Sequence, residues 1–275
     1  MNAWGFILTL HFRRATPSTT DLTQIGTKAE QCAAAAMCGT LSPPPTGGSP
    51  AAGSATPDST TLTHPTRRPV LRAFVPNTSL CTTAFNLVEA VLPLPILHHS
   101  VRVFLFAKGL AETEQSPWAA GFKLEVLFVA CVCHDLGTSN QYNGPQRFEV
   151  EGADAAVQLL RSHKVSSSDM HEVWTAIALH TSPGIAERIS PLARLVRLGV
   201  LIDFRQATRE ALGATEYARD IEKKIPRLDV EKVLGDVVVG QALQNREKAP
   251  PASWPGILLK AHLEDPKRDG VNPAF

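Results

Sequence analysis

No stretch of this 275-residue chain is apolar for anything near the ~20 residues that a bilayer-spanning helix requires, so a membrane span is not expected. Charge of one sign is equally scarce. Lys and Arg number 27 against 26 Asp and Glu, a formal net charge of +1, and the basic residues are scattered. Neither nucleic acid nor an anionic membrane is therefore expected as an electrostatic partner. Cysteine is limited to Cys32, Cys38, Cys81, Cys131 and Cys133. This odd, badly spaced set does not make a disulfide framework and favours a reducing compartment, so the expected location is cytoplasmic. Acidic residues are missing from the first fourteen positions, which end in Arg13-Arg14. That pattern resembles a transit peptide, or equally an imprecise gene start, and keeps a mitochondrial destination as the alternative.

Large apolar side chains are also sparse between Ala15 and Thr66, where Thr, Ser, Pro, Gly and Ala dominate and Pro43-Pro44-Pro45 and Gly47-Gly48 interrupt any pattern. Such a segment buries too little apolar surface to offset its chain entropy. Residues 1–74 are therefore expected to be a disordered leader, and 75–275 a single domain of about 200 residues, long enough for a buried core.

From Val75 onward the chain has helical periodicity nearly throughout and no hairpin signal. Thr78 or Ser79 is placed to cap a helix running toward Ala90, stopped by Pro93 and Pro95. Further helices are expected over His99–Glu112, Trp118–Asp135 (opened by Pro117), Glu149–His163, Ser168–His180, Pro191–Phe204, Tyr217–Lys224 and Val230–Gln244. The expected fold class is all-α.

Within that greasy background, His134 and Asp135 end the apolar run Leu124–Cys133. Both are costly to desolvate without a partner, and a divalent cation suits imidazole and carboxylate alike. His99 and Asp203 lie in two other apolar helical patterns, so the set His99, His134, Asp135 and Asp203 can converge on one ion from three helices. Adjacent residues share a metal most easily at a helix end, and Leu136-Gly137 supplies that end, with Gly137 expected as a left-handed C-cap. Two imidazoles and two carboxylates suit Zn²⁺, Fe²⁺ or Mn²⁺. Cys131 and Cys133, inside the continuous apolar helix, read as core, and His98 as structural.

The order His…His-Asp…Asp resembles that of the HD metallohydrolase superfamily. Four local stretches resemble its cyanamide hydratase branch: Leu97-His98-His99-Ser100-Val101-Arg102-Val103, Cys133-His134-Asp135-Leu136-Gly137-Thr138, Arg147-Phe148-Glu149-Val150-Glu151-Gly152, and Leu179-His180-Thr181-Ser182-Pro183-Gly184-Ile185-Ala186-Glu187-Arg188. Asn272-Pro273-Ala274-Phe275 is similar as well. The resemblance covers Val75 onward and implies a zinc-dependent hydro-lyase that adds water to a small nitrile, cyanamide giving urea. It also makes a homo-oligomer an expectation.

A cation held by this set supplies hydroxide near neutral pH, and the nitrile nitrogen then needs a proton from an acid. His180, at the end of the Ala176-Ile177-Ala178-Leu179 run, matches a family position beside the metal and is the candidate acid; an ordinary helix-terminal His is the alternative. Asp135 joins it as a catalytic candidate through the metal. Thr138, Thr181, Arg102 and Glu149 are candidates for orienting a small-molecule substrate or water, with helix-end and outer-shell roles as alternatives. The competing function is hydrolysis of a nucleotide or other phosphomonoester, the commonest activity in the wider superfamily, for which Arg102 and Arg147 would have to grip phosphate. Glu151-Gly152 stands where dinuclear members have His-Gly, which argues for one metal. A ligand-sensing or docking role is the third reading, and the retention of all four ligand types argues against it.

Overall fold

Ser, Thr and Pro residues set where the helices begin. The computed structural model describes residues 71–275, and among these there are helices and turns but no strand. The all-α expectation holds. The expected leader lies outside the described residues up to position 70. Leu71 is already buried in the core, with Phe74 and Val75 packed against it. Eleven α-helices follow among the described residues: α1 Ser79–Val91, α2 Leu94–Thr113, α3 Gly121–Cys133, α4 Phe148–Ser162, α5 Ser167–Leu179, α6 Ala186–Ile189, α7 Pro191–Phe204, α8 Gln206–Ala211, α9 Thr215–Lys224, α10 Val230–Gln244 and α11 Trp254–Glu264. The Thr78 hydroxyl accepts from Cys81 N, Ser166 from Asp169 N, Ser190 from Ala193 N and Ser253 from Gly256 N. Each such cap stabilises its helix by about 1 kcal/mol.

α2 is the hub. From Ile96 to Ala107 only buried residues occur, the pattern of a helix surrounded on all sides. It packs against α3 and α7, with α9 and α10 also in contact. The α2–α3 seam includes Phe104 against Phe128, edge to face at 4.8 Å, a contact worth about 0.5–1.5 kcal/mol beyond its burial. α7 reaches α2 closely because Gly199 has no side chain; a Cβ there would sit 2.7 Å from the Val103 carbonyl oxygen. That close approach brings Asp203, one turn further on, beside His99.

Three local expectations change. Pro117 opens a 3₁₀ turn over Pro117–Ala119 rather than α3; the chain is extended at Ala120, and Gly121, at φ +57°, restarts it as α3. The helix expected from His99 begins earlier, at Leu94, with Pro95 in its first turn, where the missing N–H costs nothing. Gly137 is not a left-handed cap: the glycines with positive φ are Gly121, Gly184, Gly213 and Gly270. It is small because the start of α4 crosses here, where a Cβ would meet the Phe148 carbonyl oxygen at 2.0 Å. α6, α8 and α11 have no counterpart among the helices expected from sequence. No helix among the described residues is long and apolar enough to cross a membrane.

Candidate metal centre

α3 ends at Cys133, which leaves His134 and Asp135 at the helix terminus. Both are essentially fully buried, as are His99 and Asp203. His134 donates Nδ1–H to the Cys131 carbonyl at 2.7 Å, and His180 does the same to Ile177 at 2.6 Å. Each bond joins a histidine to the carbonyl three residues earlier, so a helix end orients each ring and turns Nε2 inward. His99 lies mid-helix and has no such carbonyl. Its Nδ1–H is donated instead to Asp203 Oδ2 at 2.6 Å, which again leaves Nε2 as the acceptor.

The consequence is a concentration of lone pairs. His99 Nε2 and His134 Nε2 face each other at 3.1 Å. Asp135 Oδ2 lies 3.2 Å from His134 Nε2 and 3.6 Å from His99 Nε2. That carboxylate oxygen is buried and has no hydrogen-bond donor. Three acceptors converging in a dry interior repel one another unless a cation stands among them. His99, His134 and Asp135 therefore fit a divalent ion by number, chemistry and the outer partners that orient them. His180 borders the group, with Nε2 3.7 Å from Asp135 Oδ1 and its ring edge-on to His134 at 4.9 Å.

Electrostatics follow the same geometry. Burial holds the His99 imidazole below its usual range, against the pull of Asp203. Burial also opposes charge on His134, but Asp135 beside it prevails and raises that imidazole. Burial, then the neighbouring His134, pushes His180 down to about 3, so it is neutral near pH 7. Burial alone would raise the Asp135 carboxyl; the surrounding imidazoles reverse this and hold it far below the carboxylate range.

Asp203 does not occupy the position expected of a fourth ligand. Arg102 grips it with both arms, Nε to Oδ1 and Nη2 to Oδ2, each at 2.8 Å. Arg227 Nη1 lies 3.2 Å from Oδ1, and His99 takes the remaining direction. Asp203 thus stands behind His99, on the Nδ1 side. Its carboxyl is held far below the usual range because the Arg102 hydrogen bond and charge outweigh the cost of burial. The physical reason is spacing: Arg102 follows His99 by one turn of α2, so its guanidinium reaches the same carboxylate that orients the histidine.

Arg102, one of the substrate candidates, has its guanidinium turned to Asp203. It is fully buried, and its third nitrogen donates to the Pro226 carbonyl at 3.0 Å. The other three substrate candidates also direct their side chains at the protein. Thr138 donates to the Asp135 carbonyl at 2.6 Å, bracing the turn that carries the His-Asp pair. Thr181 donates to Glu149 Oε1 at 2.7 Å, and Arg147 Nη2 donates to the same oxygen at 2.7 Å. Glu149 is fully buried, so it anchors the residue that follows His180. His98 Nδ1 bonds the Pro226 carbonyl at 2.8 Å, as a structural histidine does. Cys131 and Cys133 are buried in α3, their thiols pushed up by burial.

Sequence reasoning gave no site role to four aromatic residues near the centre. Phe204 lies against the His99 ring at 4.4 Å, and Phe148 meets His180 at 5.7 Å. Trp254 and Phe275 adjoin these two. Phe148 comes directly after Arg147 and Phe204 directly after Asp203 in sequence, and those adjacencies were the available signal.

Residues 96–199 match the family model described as HD domain, a family that holds divalent metal ions. The matched region contains His99, His134, Asp135 and His180 and stops short of Asp203. No curated protein matches the chain.

Proposed function

We infer that this HD-domain chain is a metal-dependent enzyme that adds water across the triple bond of a small nitrile, with cyanamide the first substrate to test and urea its product. One observation carries the metal-dependent part: three buried acceptors, His99 Nε2, His134 Nε2 and Asp135 Oδ2, converge without a donor between them. The preference for an uncharged substrate over a phosphomonoester is supported by Arg102 and Arg147. The two cations that the sequence offered for phosphate are bound to Asp203 and Glu149, and phosphate recognition calls for converging guanidinium or ammonium groups.

A divalent cation, when bound, acidifies water toward neutral pH and supplies the nucleophile. Zn²⁺ is our first choice, and Fe²⁺ or Mn²⁺ suits the same nitrogen and oxygen donors. The chain's own residues do the rest. His99 and His134 would hold the ion through Nε2 and Asp135 through its carboxylate, with Asp203 and the Cys131 carbonyl fixing the two imidazole tautomers. His180 presents an accepting Nε2, because its Nδ1–H is committed to Ile177. In the neutral form its one proton is held by the Ile177 carbonyl, away from the centre, so its role is first that of a base. It takes a proton from water as the new carbon–oxygen bond forms and one carbon–nitrogen π bond breaks, then returns it to the nitrile nitrogen. For cyanamide the product of that addition is isourea, which tautomerises to urea. Thr138, and Glu149 through Thr181, keep the two halves of this arrangement in place.

Metal-loaded protein incubated with cyanamide and, separately, with nucleoside monophosphates is the test. Urea from the first and no inorganic phosphate from the second is the expected result. Phosphate release without urea would replace this reading with phosphomonoester hydrolysis.

A further inference from the structure

We propose that Phe275 is a specificity-determining residue of this centre: with Trp254, Phe148 and Phe204 it forms an aromatic wall that admits small uncharged substrates and turns away bulkier ones. This rests on the metal-centre reading and adds to it the part of the chain that selects the substrate.

The observation is a closed circuit of rings. His99 meets His134 at a centroid distance of 5.0 Å, and His134 meets His180 at 4.9 Å. From His180 the circuit passes to Phe148 at 5.7 Å, then to Trp254 at 6.0 Å and to Phe275 at 5.5 Å. Phe275 meets Phe204 at 4.9 Å, and Phe204 returns to His99 at 4.4 Å. One side of the circuit is the three imidazoles of the candidate centre. The other side is four uncharged rings contributed by α4, α7, α11 and the segment after α11. Such a wall offers a phosphate dianion no hydrogen-bond donor, leaving only the metal to offset its lost hydration, and tolerates a flat or linear molecule with π electrons.

The centre itself is sealed, since none of its residues is more than 3% exposed. A substrate therefore enters only if part of the circuit moves. Phe148 lies in the first turn of α4 and is 2% exposed, so its displacement would disturb a helix. Phe275 is held differently. It lies beyond the last helix, which ends at Glu264. Its segment is pinned by Asn272, whose Nδ2 donates to the Leu258 carbonyl at 2.9 Å and whose own oxygens accept from Ala274 N and Phe275 N. Swinging Phe275 out breaks a few hydrogen bonds and two ring contacts, the least costly local opening the circuit offers.

The test loads native protein, Phe275→Ala, Asn272→Ala and Phe85→Leu with Co²⁺, and reads two signals by absorption. The first is the rate of metal extraction by EDTA. The second is the spectral change on adding cyanamide or benzonitrile. Phe275→Ala removes the gate and Asn272→Ala unpins it. Each is expected to accelerate extraction by about tenfold, the scale set by two lost ring contacts, and to let benzonitrile perturb a spectrum that in native protein responds to cyanamide alone. Phe85→Leu removes a buried ring from α1, outside the circuit, and is expected to leave both signals unchanged. Extraction rates that match the native protein, or rise equally in Phe85→Leu, overturn the wall while leaving the metal centre standing. If Phe275→Ala does not fold, Asn272→Ala decides the matter. If the native protein binds no Co²⁺, both the wall and the reading beneath it fail.

Discussion

Replacing Asp203 with Asn separates a ligand from an orienter. Asn keeps the size of the side chain but makes one of its two heads a donor. With the amide nitrogen toward His99 Nδ1, the imidazole must reverse its tautomer and protonate Nε2, the atom that faces His134 at 3.1 Å. With the amide nitrogen toward Arg102, two donors confront each other inside the core. Loss of an outer partner of this kind lowers metal affinity by roughly 10–100-fold, about 1.4–2.7 kcal/mol. Stability falls further, because Arg102 is fully buried and would be left with neutral partners alone, the Pro226 and Ile225 carbonyls and at most one amide oxygen. Breaking one side of a buried ion pair costs about 3–5 kcal/mol. Competition against a chromophoric chelator measures the first effect, and urea unfolding of metal-free protein the second. Weakened but stoichiometric binding is expected, against complete loss in Asp135→Ala. If Asp203→Asn abolishes metal binding as Asp135→Ala does, Asp203 belongs in the ligand sphere and the geometric argument is wrong; if affinity is unchanged, it has no part in the site.

The same structure sets three further outcomes. His180→Ala should retain stoichiometric metal and lower kcat on cyanamide by about 100- to 10,000-fold, the range for a lost acid–base group; native-like kcat with intact metal would remove it from the chemistry. Two glycine substitutions should have opposite signs. Gly137→Ala drives a methyl into the Phe148 carbonyl and should cost about 1–3 kcal/mol or more. Gly240→Ala, on α10 with nothing near the new carbon, should stabilise by about 0.4–1 kcal/mol, and equal thermal shifts in the two would refute the close crossing. Burial pushes the Cys81 and Cys133 thiols up to about 12 from 9.0. A raised folded value favours the protonated thiol, so this contribution to stability is complete below pH 9 and is lost as pH rises toward 12. Iodoacetamide at pH 8 should therefore spare both until the protein unfolds, as peptide mapping would report.

Much of the fold was legible because short-range chemistry repeats itself. Pro191–Phe204 and Val230–Gln244 have the bounds that periodicity expects: in the first, Ser190 caps and Pro191 follows it, and in both the apolar spacing does not conflict with the local residues. α11 was not expected from sequence, although Ser253 caps it and Pro255 lies in its first turn. Its pattern is blurred by Gly256, which is glycine because a Cβ would lie 2.1 Å from the Pro250 carbonyl oxygen. That requirement comes from packing and leaves no periodic signal. Pro117 misled for the converse reason: it suits a 3₁₀ turn as well as an α-helix, and Gly121 decides where the α-helix resumes.

The candidate site divides along the same line. Histidine and aspartate placed in apolar helices are conspicuous in sequence, since their desolvation demands an explanation whatever surrounds them, and His99, His134 and Asp135 were identifiable on that ground. What each carboxylate does was not. Asp135 and Asp203 look alike in sequence, and they part because Arg102 reaches one of them while an oxygen of the other has no donor. The kind of ligand is a property of residue chemistry, which sequence records. Its assignment to a metal-facing or a supporting role depends on which charged group lies within hydrogen-bonding reach, about 3 Å, a distance set by the crossing of helices far apart in the chain.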